Sequence, residues 1–209
     1  MCRFRVPTTW KTTLITLFLK DVITPPQANG VYIKYIGGKY SNSDILWNGQ
    51  TVVGIALKTS SSSFCIHPEQ SNGIWSSTNT SISGVGTYGS ASAKPTSYLT
   101  GKADTDAIIA SGYAGSAVTF ARNAVYADGS VGYLPAFGQF SLIMSNISAI
   151  NSALALINGT AIINSAGNSN GYWTSTQYNA SMSWRWCRDD NGWPYGKSDS
   201  FYVRSVTDF

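Results

Sequence analysis

The runs Tyr172-Trp-Thr-Ser-Thr-Gln-Tyr178, Ser183-Trp-Arg-Trp-Cys-Arg188 and Phe201-Tyr-Val-Arg-Ser-Val206 decide how this chain is read. Each is short, rich in aromatic or β-branched residues, and bounded by polar turn formers, which is how strands are written. Side chains alternate across a strand, so Trp184 and Trp186 share one face while Arg185 and Cys187 share the other. The tryptophans suit a core, which leaves Arg185 and Cys187 on an exposed face beside the loop Asp189–Gly196. Asn191-Gly192 in that loop is a hairpin-turn signal. Trp193, Pro194 and Tyr195 follow it, and the intervening proline breaks regular alternation. They therefore read as exposed aromatics of the kind that binding surfaces use. An aromatic β core with a decorated turn is the competing reading.

Working back towards the N-terminus, the chain changes character twice. Ser148 is a candidate cap for a helix carrying Ile150, Leu154 and Ile157, with Gly159 as its stop. Pro135 suits the first turn of a helix that buries Phe137, Phe140, Leu142 and Ile143. Asp128-Gly129 marks a turn. Ser116 is placed to cap a helix to Asn123, and Asp104 or Thr105 another to about Ser111. Before these, Val31–Ile36, Thr51–Leu57 and Phe64–Ile66 read as strands, Lys58–Ser63 as a hairpin loop, and Gly73–Pro95 as a long irregular excursion. Strands, then helices, then strands make an α+β layout, in which the last strand can pair near the first. One echo stands out: Ser71–Thr78 is SNGIWSST and Ser169–Thr176 is SNGYWTST. Two copies make no solenoid, and chance or two similar turns leading into strands accounts for them.

The 209 residues fit one domain with a short appendage. Only 11% of residues are charged, against about 25% in ordinary soluble domains. Ser, Thr, Asn and Gly take their place among abundant Tyr and Trp, a composition shared with adaptable recognition surfaces. The net charge of +4 forms no basic stripe, and four of the 14 basic residues (Arg3, Arg5, Lys11, Lys20) lie in the first twenty positions. Nucleic acid is therefore not an expected partner. Leu14–Leu19 is apolar but far short of the roughly twenty residues that span a bilayer. Residues 1–27 read as a tether or assembly segment, and residues 28–209 as the domain.

Catalytic and metal chemistry find little to work with. His67 is the single histidine, which rules out sites needing several imidazoles and leaves one candidate base in a loop. Asp104 and Asp106, and Asp128 with Ser130, have calcium-loop spacing but lack the alternating acids that end in Glu, so capping and turn formation explain them better. Asp189-Asp190-Asn191-Gly192 is a calcium candidate outweighed by its turn signal. No glycine loop with its lysine cradles a phosphate, and no cofactor or metal is expected. Cys2, Cys65 and Cys187 form no metal-binding pair; one Cys65–Cys187 bridge is the open alternative.

YWTSTQY, the W-x-W strand and the closing Y-V-R-x-V, together with NGVYI, ADTDAIIA and DGSVGYLPAFGQF upstream, resemble C-type lectin-like domains. The likeness spans residues 28–209. It is strongest to the variable proteins of diversity-generating retroelements and to Bacteroides-type phage tail or adhesin proteins. The resemblance implies a C-type lectin-like fold whose core tryptophans hold a scaffold for a varied, ligand-contacting face. In such proteins adenine-directed mutagenesis converts mainly Asn codons. Its accessible products here are Asn179, Ser181, Arg185, Cys187, Asp189, Asn191, Pro194, Tyr195, Gly196, Ser198, Asp199 and Phe201, whereas Trp173, Trp184, Trp186 and Trp193 lie outside that set. Combining both arguments, the expected ligand-binding set is Tyr178, Asn179, Ser181, Arg185, Cys187, Asp189, Asn191, Trp193, Tyr195, Ser198, Asp199 and Phe201. The implied partner is a host cell-surface protein or glycan. The implied setting is a virion tail or cell surface, as a homo-oligomer (a trimer among the options) or docked into a larger assembly. Ser205 replaces the family's usual proline in the closing motif. The Glu-Pro-Asn, Gln-Pro-Asp and Trp-Asn-Asp signatures of calcium-dependent sugar binding are missing. Two alternatives accompany this non-enzymatic reading: a structural virion or surface protein of the same fold, and an oxidase like the formylglycine-generating enzymes, which need two active cysteines.

Overall fold

The computed structural model describes residues 32–34, 40–164, 170–188 and 191–209. Among them, eight strands and four helices make an α+β domain. The strands are β1 (Tyr32–Lys34), β2 (Ile45–Trp47), β3 (Val52–Lys58), β4 (Ser63–Ile74), β5 (Tyr172–Gln177), β6 (Met182–Trp186), β7 (Trp193–Gly196) and β8 (Ser200–Asp208). Between β4 and β5 come α1 (Gly101–Ala110), α2 (Ser116–Asn123), α3 (Phe137–Ser145) and α4 (Ile147–Leu156). No helix among the described residues is long and apolar enough to cross a membrane.

All eight strands join one sheet in the order β1-β2-β3-β4-β8-β5-β6-β7. Pairing is antiparallel except between β1 and β2 and between β5 and β8. The last strand therefore does not return beside the first: β8 sits in the middle, between β4 and β5, while β1 forms an edge. Helices cover both faces, and neighbouring residues of β5 show the division. Tyr172 joins Phe137, Phe140, Ile150 and Leu154 of α3 and α4 in the larger apolar cluster, with Trp184 and Trp186 of β6. Trp173 joins Ile108 of α1 and Val118 of α2 in the second, with Trp75, Phe201 and Val203. A third, smaller cluster gathers Leu46, Val53, Ala56, Cys65 and Tyr126.

Two irregularities in the ladders organise the domain. On β4, register moves from Ile66 opposite Val206 to Gln70 opposite Arg204, so four steps on one strand answer two on the other. Pro68 has no N–H for the ladder, and the bulge turns its carbonyl and that of His67 inward. There the buried Arg204 guanidinium donates to His67 O (3.0 Å) and Pro68 O (2.7 Å), and also to Gln70 Oε1 (3.0 Å) and Thr160 O (2.7 Å). On β5, a matching bulge lies between Trp173, opposite Arg185, and Gln177, opposite Ser183. Its three hydroxyls are buried and all engaged. Thr174 Oγ1 donates to Trp184 O (2.8 Å), Ser175 Oγ to Asp104 Oδ2 (2.7 Å), and Thr176 Oγ1 accepts from Phe137 N at the start of α3 (3.0 Å).

The repeated SNG-x-W segments meet across β8. The Trp75 indole donates to Thr174 O (2.8 Å) and the Trp173 indole to Gly73 O (2.9 Å). The similarity is thus spatial as well as sequential, each copy supplying an acceptor for the other's tryptophan.

Several local expectations shift. Helix α1 starts at Gly101, ahead of Asp104 and Thr105, so neither caps it. Thr105 Oγ1 instead donates back to Gly101 O (2.8 Å), and Asp104 is turned into the core. Helix α2 occupies Ser116–Asn123, but its N-cap is Gly115, and the Ser116 hydroxyl accepts from Ile74 N (3.1 Å). Strand β4 continues to Ile74, into the segment read as irregular. Cys65 is a buried free thiol, so the bridge to Cys187 does not form.

Candidate functional site

The β6–β7 hairpin carries most of the residues singled out for recognition. Asn191 (φ 48°) and Gly192 (φ 99°) both adopt the left-handed region that an Asn-Gly turn favours. A side chain on Gly192 would also collide with the Phe137 ring. Beyond the turn, Trp193–Gly196 is a strand and not a loop, paired through Arg185↔Trp193 and Ser183↔Tyr195. Pro194 is tolerated because β7 lies at the sheet edge, where a missing N–H can face solvent.

The alternation of β6 is as read from sequence, but its far face is covered. Arg185 and Cys187, expected on an exposed surface, are buried (0% and 1% exposed). Other aromatic rings close over that face: the Arg185 guanidinium lies 4.1 Å from the Tyr195 ring centroid and 4.9 Å from that of Phe201. Phe201 is itself buried, edge-on to Trp173 (5.0 Å) and Tyr195 (5.1 Å). Gly171 makes room for the arginine, since a Cβ there would sit 2.5 Å from Arg185 Cδ. Arg185 therefore serves as a support under Tyr195, a desolvated cation–π contact.

The remaining predicted residues fall into two groups at the solvent boundary. Tyr195 is half-buried, and beside it on the edge strand Trp193 is 46% exposed; Asn191 is exposed at the start of the hairpin. At the other end of β7, Tyr178, Asn179 and Ser181 form the β5–β6 turn, with Asn179 Oδ1 accepting from Ser181 N (2.9 Å) and Met182 N (2.8 Å). The β7–β8 turn, with exposed Ser198 and Asp199, adjoins it through Lys197 N→Ser181 O (2.9 Å). Tyr178 packs edge-on to Trp184 at 5.7 Å. Asp189 lies outside the described residues.

Sequence reasoning missed the polar network beneath this surface. Lys197, 0% exposed, donates to Thr80 O (2.8 Å) and Gln177 Oε1 (2.7 Å), with Nζ 4.7 Å from the Trp75 ring centroid. Gln177 in turn accepts from Ile82 N and donates to Thr87 Oγ1. Asp104 accepts from Tyr98 OH (2.5 Å), Gly86 N (3.0 Å) and Ser175 Oγ (2.7 Å). These bonds pin the Gly73–Pro95 excursion against β5. Burial raises the Asp104 carboxyl above its ordinary value, with those three hydrogen bonds pulling the other way; its proton-donating partner Tyr98 is pushed up to about 12, chiefly by burial. Asp106, two residues on, points away and pairs with Lys102 (3.0 Å) and Arg122, so the two carboxylates do not converge. Among the described residues no three His, Cys, Asp or Glu side chains form a metal-sized group. His67 is committed to the scaffold, Nε2 lying 3.1 Å from Val125 O and Nδ1 accepting from Glu69 N (3.2 Å).

Lys197 makes a pH prediction. Burial pulls its ammonium from the ordinary 10.5 down to about 8. Below pH 8 the group is protonated in both states and adds no slope. Between pH 8 and 10.5 the unfolded chain binds a proton that the folded chain has released, so this group makes stability rise with pH. Urea unfolding at pH 7.5 and 9.5 should show a gain for the wild type relative to Lys197→Met. Parallel pH profiles for the two proteins would refute it.

No family model and no curated protein matches the chain. Among solved structures, a fimbrial protein from Bacteroides ovatus ATCC 8483 is similar in fold, with a TM-score of 0.52 and 12% identity. The similarity covers 70% of this chain and 36% of that one, so the chain matches little more than a third of that protein's length.

Proposed function

We propose that this protein is a non-enzymatic recognition module of the C-type lectin-like class, displayed on a bacterial surface structure or phage tail. Trp193 carries the reading: a large aromatic, 46% exposed, sits on an edge strand beside Tyr195, which the buried Arg185 holds in place. Rigid aromatics ringed by adaptable Asn, Ser and Asp side chains supply contact area at low entropy cost. Asn191, Ser198, Asp199, Asn179, Ser181 and Tyr178 provide that surround. The ligand is a host-surface protein or glycan. Within the retroelement-type resemblance, exposure limits useful variation to these boundary positions, because change at Arg185, Cys187 or Phe201 would disturb the support.

The fold likeness to a fimbrial protein favours a second reading, a structural subunit of a surface fibre with no variable face. The oxidase reading is the poorest fit. Strands β8 and β5 separate Cys65 on β4 from Cys187 beyond β6, and burial raises the Cys65 thiol well above its usual range, which keeps it unreactive.

Fluorescently labelled protein should bind host cells, and Trp193→Ala should weaken that binding by about 2 kcal/mol or more. The melting temperature should barely change, as befits an exposed position. Equal binding by wild type and variant would remove Trp193 from the site. A template repeat differing from the Gly171–Phe209 coding segment only at adenines, beside a reverse transcriptase gene, would support diversification; a locus lacking both would favour the structural subunit.

A further inference from the structure

The free edge of β7 presents an unequal set of main-chain groups. Lys197 N donates to Ser181 O (2.9 Å), and the hairpin keeps that register through Tyr195↔Ser183 and Trp193↔Arg185. Bonded and non-bonded pairs alternate along an antiparallel ladder. Pro194 and Gly196 therefore occupy non-bonded positions and turn their main-chain groups away from β6. No strand among the described residues lies beyond β7. Two of the outward groups are nevertheless lost: Pro194 has no N–H, and Gly196 O accepts from Asp199 N (2.9 Å). Pro194 O and Gly196 N remain, one on each side of Tyr195. The Pro194 ring is buried on the Trp184 side of the sheet, which leaves Trp193, 46% exposed, and half-buried Tyr195 on the other.

We propose that this edge takes up an extended segment of a partner protein, running parallel to β7, with one residue of the segment bonded to both Pro194 O and Gly196 N. An antiparallel neighbour exchanges both bonds with a single residue, and neither Pro194 nor Gly196 has both groups to give. In a parallel neighbour, one residue donates to the carbonyl before its opposite number and accepts from the amide after it, which is the pair left here. That residue lies opposite Tyr195 with its side chain on the Tyr195–Trp193 face, where an apolar or aromatic group gains ring contact. Main-chain pairing of this kind needs a polypeptide, so a glycan does not supply it. The same arrangement bars self-pairing. Two copies of one edge related by a twofold axis meet antiparallel, so Pro194 also blunts β7 against a second β7. The inference rests on the reading of Trp193 and Tyr195 as a recognition surface and gives that surface a partner class.

The test pans the full chain against displayed random linear peptides and measures the recovered peptides by calorimetry. Gly196→Ala and Gly196→Pro both place a Cβ 3.1 Å from Asp199 Oδ2, but only proline removes the N–H. The alanine variant should bind peptide like the wild type, and the proline variant about three- to tenfold more weakly, the worth of one hydrogen bond. Amide exchange at Gly196, slowed by bound peptide in the wild type, reads the same bond without a substitution. Pro194→Val restores the missing donor and should add a concentration-dependent self-association, seen by light scattering, that the wild type lacks. Any of four results overturns the proposal: a library that yields no binder, equal peptide affinity of the alanine and proline variants, Gly196 exchange that peptide leaves unchanged, or an unaltered oligomeric state of Pro194→Val. Host-cell binding that needs Trp193, with no peptide binder, would sink the strand site alone. Peptide binding at Gly196 by a protein that ignores host cells would sink the host-recognition reading alone.

Discussion

Replacing Arg204 by methionine should destabilise the domain by about 3–5 kcal/mol, the loss typical of breaking a buried charge network from one side. The guanidinium donates to four oxygens: two carbonyls of the β4 bulge, the Gln70 side chain and the Thr160 carbonyl that follows α4. Methionine fills a similar volume but removes four charge-assisted bonds at once; Pro68 O keeps Thr160 N and Gln70 Oε1 keeps Tyr172 OH, so the desolvation penalty falls chiefly on His67 O and Thr160 O. Arg204→Lys keeps a charge but cannot fork to four acceptors, so it should recover less than half of the loss. Denaturant titration of the three proteins measures this. A methionine variant within about 1 kcal/mol of wild type would show that the bulge holds itself. Amide exchange should also rise first at residues 67–70 and 159–160, where the lost bonds lie.

Trp173→Ala should be comparably severe, about 3–5 kcal/mol. The side chain is fully buried between α1, α2 and Phe201, and its indole N–H satisfies Gly73 O. Trp173→Phe retains much of the packing and loses the hydrogen bond, so a smaller cost of about 1–2 kcal/mol follows. Because Trp75 makes the reciprocal bond to Thr174 O, Trp75→Phe and Trp173→Phe should couple by about 0.5 kcal/mol or more in a double-mutant cycle. Strict additivity would mean that the two repeated segments are neighbours without energetic connection.

These positions show what could be read from the chain and what could not. Alternation of Trp184 and Trp186 against Arg185 gives the two faces of β6 correctly, because a period of two is a property of the strand itself. It does not say what lies over each face. Tyr195 and Phe201 cover Arg185 from strands that are neighbours only in space, so its burial was not legible. Pro194 argued against a strand and would have been right in the sheet interior; β7 survives because it is an edge. Thr174, Ser175 and Thr176 are polar residues whose sequence assigns them no partner, and a bulge turns all three inward to Trp184, Asp104 and α3. Strand β2 has only three residues, too few to show a period. The span of helix α2 was legible to within a residue from its terminal polar residues, although the cap is Gly115 and not Ser116. Of the candidate binding residues, Trp193 is exposed as expected, but on an edge strand and not in a loop, whereas the support under Tyr195 needed the fold.

The central place of β8 has a consequence for how the protein is made. During synthesis β1–β4 and β5–β7 emerge as two half-sheets, and only β8, translated after all seven, hydrogen-bonds both. Until then β4 and β5 present open edges to whatever else is nearby. Sequence-distant pairings of this kind close slowly, and open strand edges invite association between nascent chains. The window between release of β5 and capture of β8 is thus when the polypeptide is most exposed to self-association.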